Sequence, residues 1–366
     1  MHTKKLFYIA LFFLTTSGFA QDKIKITNTF GADKDSISSR DFLDVNHFSY
    51  FEYDVADRIQ FDYSSDLFTA RLRTTINPYD IEGYYSNITF KGYALFTPVK
   101  YFNLAIGNSF FNKFALDSFY FASFDDYPGH GKLLNDGIGI LSKIDFNDFS
   151  SFPLKIKIAL GVDTDSNYKW KQFGFNTGLN FNYSDFVNLS FTFKNIWSDK
   201  PFKFAGGLGL NFSQDIHINL GYVYNNTDKD FLLYSTKDSV FVNVYYAFKD
   251  IPLTLAFDVV SGLNDYFISD YKLTESQAFI PFTLGADVKY KYESWTFNCS
   301  AKLFKALKND ALGILEVKPG VKYKFNKNNS IETGLRITLK KDYKNADGIM
   351  IPNLSIPFTW KFNYEL

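Results

Sequence analysis

Residues 173–182 read Phe-Gly-Phe-Asn-Thr-Gly-Leu-Asn-Phe-Asn, and the character of the chain changes at every second residue. Phe173, Phe175, Thr177, Leu179 and Phe181 fall on one side of an extended backbone, while Gly174, Asn176, Gly178, Asn180 and Asn182 fall on the other. Side chains that point alternately to opposite faces define a β-strand, so the segment predicts a strand with one greasy and one polar face. The same period of two recurs in Arg58–Tyr63, Leu154–Val162, Ile216–Asn225 and Ile331–Lys340.

A soluble β-sandwich alternates in the same way, so the environment has to be decided by other features. Many of these segments run about ten residues, the length of a strand that crosses a bilayer at a tilt near 45°, whereas soluble strands average nearer five or six. Their polar faces are rich in Gly, Asn, Ser and Lys, which suits contact with water. The connections are sorted by length as well. Short turns fall near Ser64–Asp66, Pro98–Lys100, Ser184–Phe186, Ser213–Asp215, Lys249–Ile251, Glu293–Ser294 and Asn326–Asn328, with a longer one at Asn147–Pro153. Between them lie longer polar or irregular stretches, such as Ala32–Ala56, Asn112–Asp136, Thr227–Asp238, Ser261–Ala278 and Lys341–Asn353. Short turns on one rim and long loops on the other predict a transmembrane, antiparallel, up-and-down β-barrel. One hairpin per short turn, with both termini on the short-turn side, gives about 18 strands, with 16 if the first strand, near Lys23–Gly31, or the region Phe42–Asp54 is loop.

Composition supports this reading. Aromatic residues make up 20% of the chain, yet no apolar run after the N-terminus approaches the length of a membrane helix, so the apolar residues are interleaved with polar ones. Formal charge balances at zero, which argues against a nucleic-acid partner. Cys299 is the only cysteine, so an intramolecular disulfide, a thiolate zinc site and an iron–sulfur cluster are all excluded; no metal or cofactor is predicted. The N-terminus has a basic start at Lys4 and Lys5, an apolar stretch from Leu6 to Leu14 and a small-residue exit, Ser17-Gly18-Phe19-Ala20. Residues 1–20 therefore read as a secretory signal peptide cut after Ala20, leaving 21–366 as a single barrel domain exported to the outer membrane, in contact with its lipid.

If the greasy face meets lipid, alternation turns Arg58, Gln60, Asp62, Arg71, Arg73, Lys91, Lys155 and Lys157 inward. Near the C-terminus it does the same for Lys289, Lys291, Lys318, Lys322, Lys324 and Arg336. Inward acids are fewer, namely Asp62, Asp258, Asp287, Glu316 and Glu332, so the lumen is expected to be basic and to prefer anions. Small hydrophilic solutes are the expected cargo. Catalysis has little support: His47, His130 and His217 stand beside no nucleophile motif, and His217 is expected to line the lumen.

In topology the chain resembles the general bacterial porins, whose constriction loop occupies the place of Asn112–Asp136 and folds into the barrel. That loop carries Asp117, Asp125, Asp126, His130, Lys132 and Asp136, and the resemblance implies that its acids would face Arg58, Arg71 and Arg73 across a narrowed pore. Ile356, Phe358, Trp360, Phe362 and Tyr364 form an outward stripe that resembles the closing strand read by the barrel-assembly machinery, although this chain ends in Glu365-Leu366 where the family ends in Phe. A homo-oligomer is compatible with the same resemblance. The rival reading is a structural or adhesive barrel that binds a partner through loop aromatics such as Tyr234, Tyr266, Phe267 and Tyr271.

Overall fold

A computed structural model describes residues 23–33, 54–77, 87–107, 139–146, 154–163, 174–196, 202–213, 215–225, 238–263, 280–307, 313–340 and 348–365. The first seven segments are β1 (Lys23–Asp33), β2 (Asp54–Ser64), β3 (Phe68–Asn77), β4 (Asn87–Val99), β5 (Phe102–Gly107), β6 (Gly139–Asp145) and β7 (Leu154–Asp163). There follow β8 (Gly174–Tyr183), β9 (Val187–Ile196), β10 (Lys203–Asn211), β11 (Ile216–Asn225), β12 (Asp238–Ala247) and β13 (Leu253–Gly262). The last are β14 (Ile280–Tyr292), β15 (Trp295–Leu307), β16 (Gly313–Lys324), β17 (Asn329–Gly334), β18 (Arg336–Lys340), β19 (Asn353–Ser355) and β20 (Phe358–Glu365).

Neighbours in sequence pair antiparallel from β1 to β17, and β1 closes the ring against β20 from Lys25 opposite Glu365 to Ala32 opposite Phe358. Two strands are each split in two. β17 and β18 both pair with β16 and are interrupted at Leu335, while β19 and β20 flank Ile356-Pro357. The cause is proline: Leu335 donates its N–H to the Pro319 carbonyl at 2.9 Å, but Pro319 has no N–H to return. Joining the halves gives an 18-strand closed barrel, the larger of the two counts expected from the sequence.

The burial pattern is inside out relative to a water-soluble protein. Along β8 the polar positions Gly174, Asn176, Gly178 and Asn180 are buried, and Asn176 is 0% exposed. The apolar face is the open one: Ile140, Leu160, Phe257 and Trp360 are each about half exposed and belong to a continuous apolar outer wall. A surface of this extent is incompatible with water and matches a hydrocarbon solvent. Among the described residues no helix is long and apolar enough to cross a membrane; the open apolar wall is built of strands alone. Aromatic pairs stand on the outer face at the short-turn rim, among them Tyr63 with Phe68, Phe186 with Phe212, and Trp295 with Tyr323. Trp295 thus sits at the strand end where a membrane–water interface favours amphipathic rings.

Local backbone chemistry explains the register. Ser184 and Asp185 both take positive φ (48° and 55°), the conformation that lets a tight turn follow the right-handed twist of β8 and β9. Asn195, at φ 58°, bulges β9, and the Asn176 side chain accepts its backbone N–H at 2.9 Å. On the inner wall of β10–β13, Ala205, Val223, Phe241 and Val260 form a buried apolar cluster that the alternation did not announce. Phe241 lies across Gly221, where a Cβ would come within 2.1 Å of its ring. Gly221→Ala should therefore cost about 1–3 kcal/mol by overpacking. The loss will register as a lower denaturant midpoint for the liposome-inserted barrel, and Phe241→Leu in the same chain will recover part of it, the remainder coming from the Gly206 carbonyl 2.8 Å from the new Cβ.

Candidate functional site

The inner wall is not chemically uniform. Register places Arg58, Gln60 and Asp62 of β2 beside Thr75, Arg73 and Arg71 of β3, and Arg73 in turn beside Lys91 of β4. Side chains on these rungs are joined. Arg71 Nε donates to Asp62 Oδ1, Gln60 Nε2 donates to Asp62 Oδ2 at 2.6 Å, and Arg73 donates twice to Gln60 Oε1, at 3.0 and 2.7 Å. Asp62 thus meets Arg71 directly and reaches Arg73 through Gln60, and Arg58, Arg71, Arg73 and Lys91 form an arc of positive side chains around it. β1 adds Lys25 opposite Asp62, and β20 adds Lys361 opposite Thr29. Lys361 is within electrostatic reach of Lys25, Arg71, Arg73 and Lys322, so the positive arc continues onto β16.

On β14–β16 the register turns Lys289, Lys291, Lys318, Lys322 and Lys324 inward, as alternation expects. Lys322 Nζ lies 3.4 Å from Glu332 Oε2. Inner-face Arg58, Lys91, Lys289, Lys291 and Lys324 are exposed although they lie on the inner side of a closed ring, so this side of the lumen is open to solvent. Lys25 and Lys361 were not singled out from the sequence, yet the signal was present: each is flanked by apolar neighbours, Ile24 and Ile26 or Trp360 and Phe362.

The other predicted cations are placed differently. Lys155 and Lys157 point inward on β7, away from the arc, and each meets an acid: Lys155 with Asp185 at 2.9 Å and Lys157 with Asp145 at 3.9 Å. Arg336 faces inward but is buried, with its Nε 3.4 Å from Glu316 Oε2 and both side chains 7% exposed. His217 also faces inward and is buried; its Nδ1 lies 2.8 Å from Asn211 Oδ1 and its ring contacts Tyr245. Neither position is open to passing solute. Asp117, Asp125, Asp126, His130, Lys132 and Asp136 fall between β5 and β6 and lie outside the described residues, as do residues 1–20 and the loop aromatics Tyr234, Tyr266, Phe267 and Tyr271.

On another part of the ring, β8–β13 line the inner face largely with amides, beside a few charges such as Lys194 and Asp258. Asn180 Nδ2 donates to Asn188 Oδ1 at 2.9 Å, Asn219 Nδ2 donates to Asn243 Oδ1 at 2.7 Å, and Asn243 donates to Asp258. These side chains are buried and mutually satisfied, so they brace neighbouring strands. Among the described residues no group of His, Cys, Asp and Glu gathers in a way that could hold a metal.

With this geometry in view, solved structures give a consistent comparison. OccAB4 of Acinetobacter baumannii superposes with a TM-score of 0.59 at 10% identity, over 95% of this chain and 99% of that one. The outer membrane protein opdK of Pseudomonas aeruginosa gives 0.58 at 9% identity, over 94% and 99%. The chain has the fold of an outer-membrane porin. Wzi of Escherichia coli, described as an outer membrane protein involved in group 1 capsule assembly and a carbohydrate-binding β-barrel, gives 0.59 at 7% identity, over 93% and 84%. No protein-family model matches the chain, and no curated protein matches it in sequence.

The buried Arg336–Glu316 pair yields a direct stability test. Glu316→Ala leaves a guanidinium charge in a site with little access to water and is expected to destabilise the barrel by about 3–5 kcal/mol. Unfolding of the liposome-inserted protein in guanidinium chloride will measure it. The double replacement Glu316→Leu with Arg336→Met is expected to cost much less.

Proposed function

We propose that the protein is an outer-membrane pore for passive diffusion of small hydrophilic solutes, and that it prefers anions. The observation that supports this most strongly is the exposure of inner-face cations on a closed ring. Arg58, Lys91, Lys289, Lys291 and Lys324 meet solvent on the side of the wall that faces away from lipid. Fixed cations on a low-dielectric wall focus the field, raising the local concentration of anions and lowering that of cations. The Arg71–Asp62–Gln60–Arg73 network holds its side chains in place, so the positive arc is preorganised.

On this reading residues 1–20 are an export signal cleaved after Ala20, and the stripe Ile356, Phe358, Trp360, Phe362 and Tyr364 is the segment offered to the assembly machinery. The constriction loop with Asp117, Asp125, Asp126, His130, Lys132 and Asp136 would set the narrowest point, opposite the basic arc. The barrel performs no chemistry on its cargo.

Planar-bilayer recording under a potassium chloride gradient tests both parts. The purified protein should give discrete conductance steps with a reversal potential favouring chloride. Arg58→Glu with Lys91→Glu should lower the anion-to-cation permeability ratio by roughly tenfold, the lower end of what focused pore charge achieves. Absence of conductance from folded protein would remove the pore, and a native preference for potassium would remove the anion reading alone.

A further inference from the structure

The short-turn rim carries a feature that solute passage does not use. Between the turn joining β10 to β11 and the turn joining β12 to β13, the outer wall is notched by a recess of about 460 Å³. Its floor is apolar: Ile216 and Tyr246 are cross-strand partners on the lipid-facing side, and the Tyr246 and Phe248 rings meet edge-on at 4.5 Å. Ile251, 49% exposed, stands at the lip. The flanking turns supply charge. Lys249 Nζ lies 3.5 Å from Asp215 Oδ2 while its side chain stays 75% exposed, and Asp250 follows it into solvent. The turns are fixed by backbone bonds, with Ala247 N–H donating to the Asp215 carbonyl at 2.7 Å and Phe248 N–H to the Leu253 carbonyl at 3.0 Å.

An occupant of this recess must satisfy two environments. The floor is continuous with the lipid-facing wall, so one end has to be apolar. The walls offer one ammonium, beside Asp215, and two carboxylates, so a headgroup that carries both an anion and a cation finds an opposite charge for each. We propose that the notch holds the headgroup of a zwitterionic aminophospholipid from the inner leaflet. Its phosphate would sit on Lys249 and its ammonium on Asp215 and Asp250, with an acyl chain along Ile216 and Tyr246. An anionic phospholipid without an amine satisfies Lys249 only, and it brings its phosphate towards two carboxylates. The proposal rests on the short-turn rim lying at the inner leaflet and is independent of the pore reading.

Native mass spectrometry of the full chain in mild detergent, titrated with phosphatidylethanolamine or phosphatidylglycerol, tests it. One phosphatidylethanolamine should be retained in preference to phosphatidylglycerol. Lys249→Glu, and separately Asp215→Asn with Asp250→Asn, should each weaken retention by about tenfold, the scale of one lost charge-assisted contact. Lys327→Glu, on the Asn326–Asn328 turn, should not. Heat-modifiable migration of every variant establishes that the barrel is folded. Equal retention of the two lipids, or equal loss in Lys249→Glu and Lys327→Glu, overturns the proposal.

Discussion

In hydrocarbon a backbone N–H or C=O has no solvent to bond, so a sheet can cross a membrane only if it has no open edge. The pairing of β1 with β20 meets that requirement here, with eight residues of each strand in register from Lys25–Glu365 to Ala32–Phe358. Once the ring is closed, alternation assigns every side chain to one of two solvents. Lipid takes the apolar face and the lumen takes the polar one. Among the described strands, the interruptions at Leu335 and at Ile356-Pro357 both involve prolines that lack an N–H, while a bulge at Asn195 shifts the register of β9 without breaking it.

Closure also divides labour along the inner wall. From β14 round to β4 the inner face carries more cations than acids, and Arg58, Lys91, Lys289, Lys291 and Lys324 on it are exposed while Arg336 and Glu316 are buried. From β8 to β13 it is amide-rich, locally apolar and buried. The first region offers a field to a passing solute, and the second stiffens the cylinder through the bonds between Asn180 and Asn188 and between Asn219 and Asn243. The pairs at Lys155–Asp185 and Lys157–Asp145 show why position on the inner face does not by itself make a cation available.

Most of the fold was legible in the sequence because it depends on a period of two and on loop length, both local properties. Residues 173–182 announce their two faces without reference to anything distant, and the 18-strand count follows from the short turns. The split of the strand 331–340 was less visible, since its cause is Pro319 on a neighbouring strand. The site was legible as a face but not as an arrangement. Arg58, Arg71, Arg73 and Lys91 could be turned inward by alternation, whereas the withdrawal of Arg336 against Glu316 and of His217 against Asn211 depends on cross-strand partners that alternation does not specify. The apolar cluster around Phe241 was hidden for the same reason, because Gly221 makes room for it from the adjacent strand.

Residue-by-residue accessibility along β2 distinguishes a lipid-facing from a water-facing side of the wall. Cys299 is the sole cysteine, so Cys299→Ser gives a clean background for single cysteines at positions 58 to 63, each spin-labelled in the reconstituted barrel. Collision with oxygen dissolved in lipid is expected to peak at positions 59, 61 and 63, and collision with a water-soluble nickel chelate at 58, 60 and 62. A flat profile, or one in which the chelate reaches positions 59 and 61 best, would contradict a barrel with lipid outside and water within.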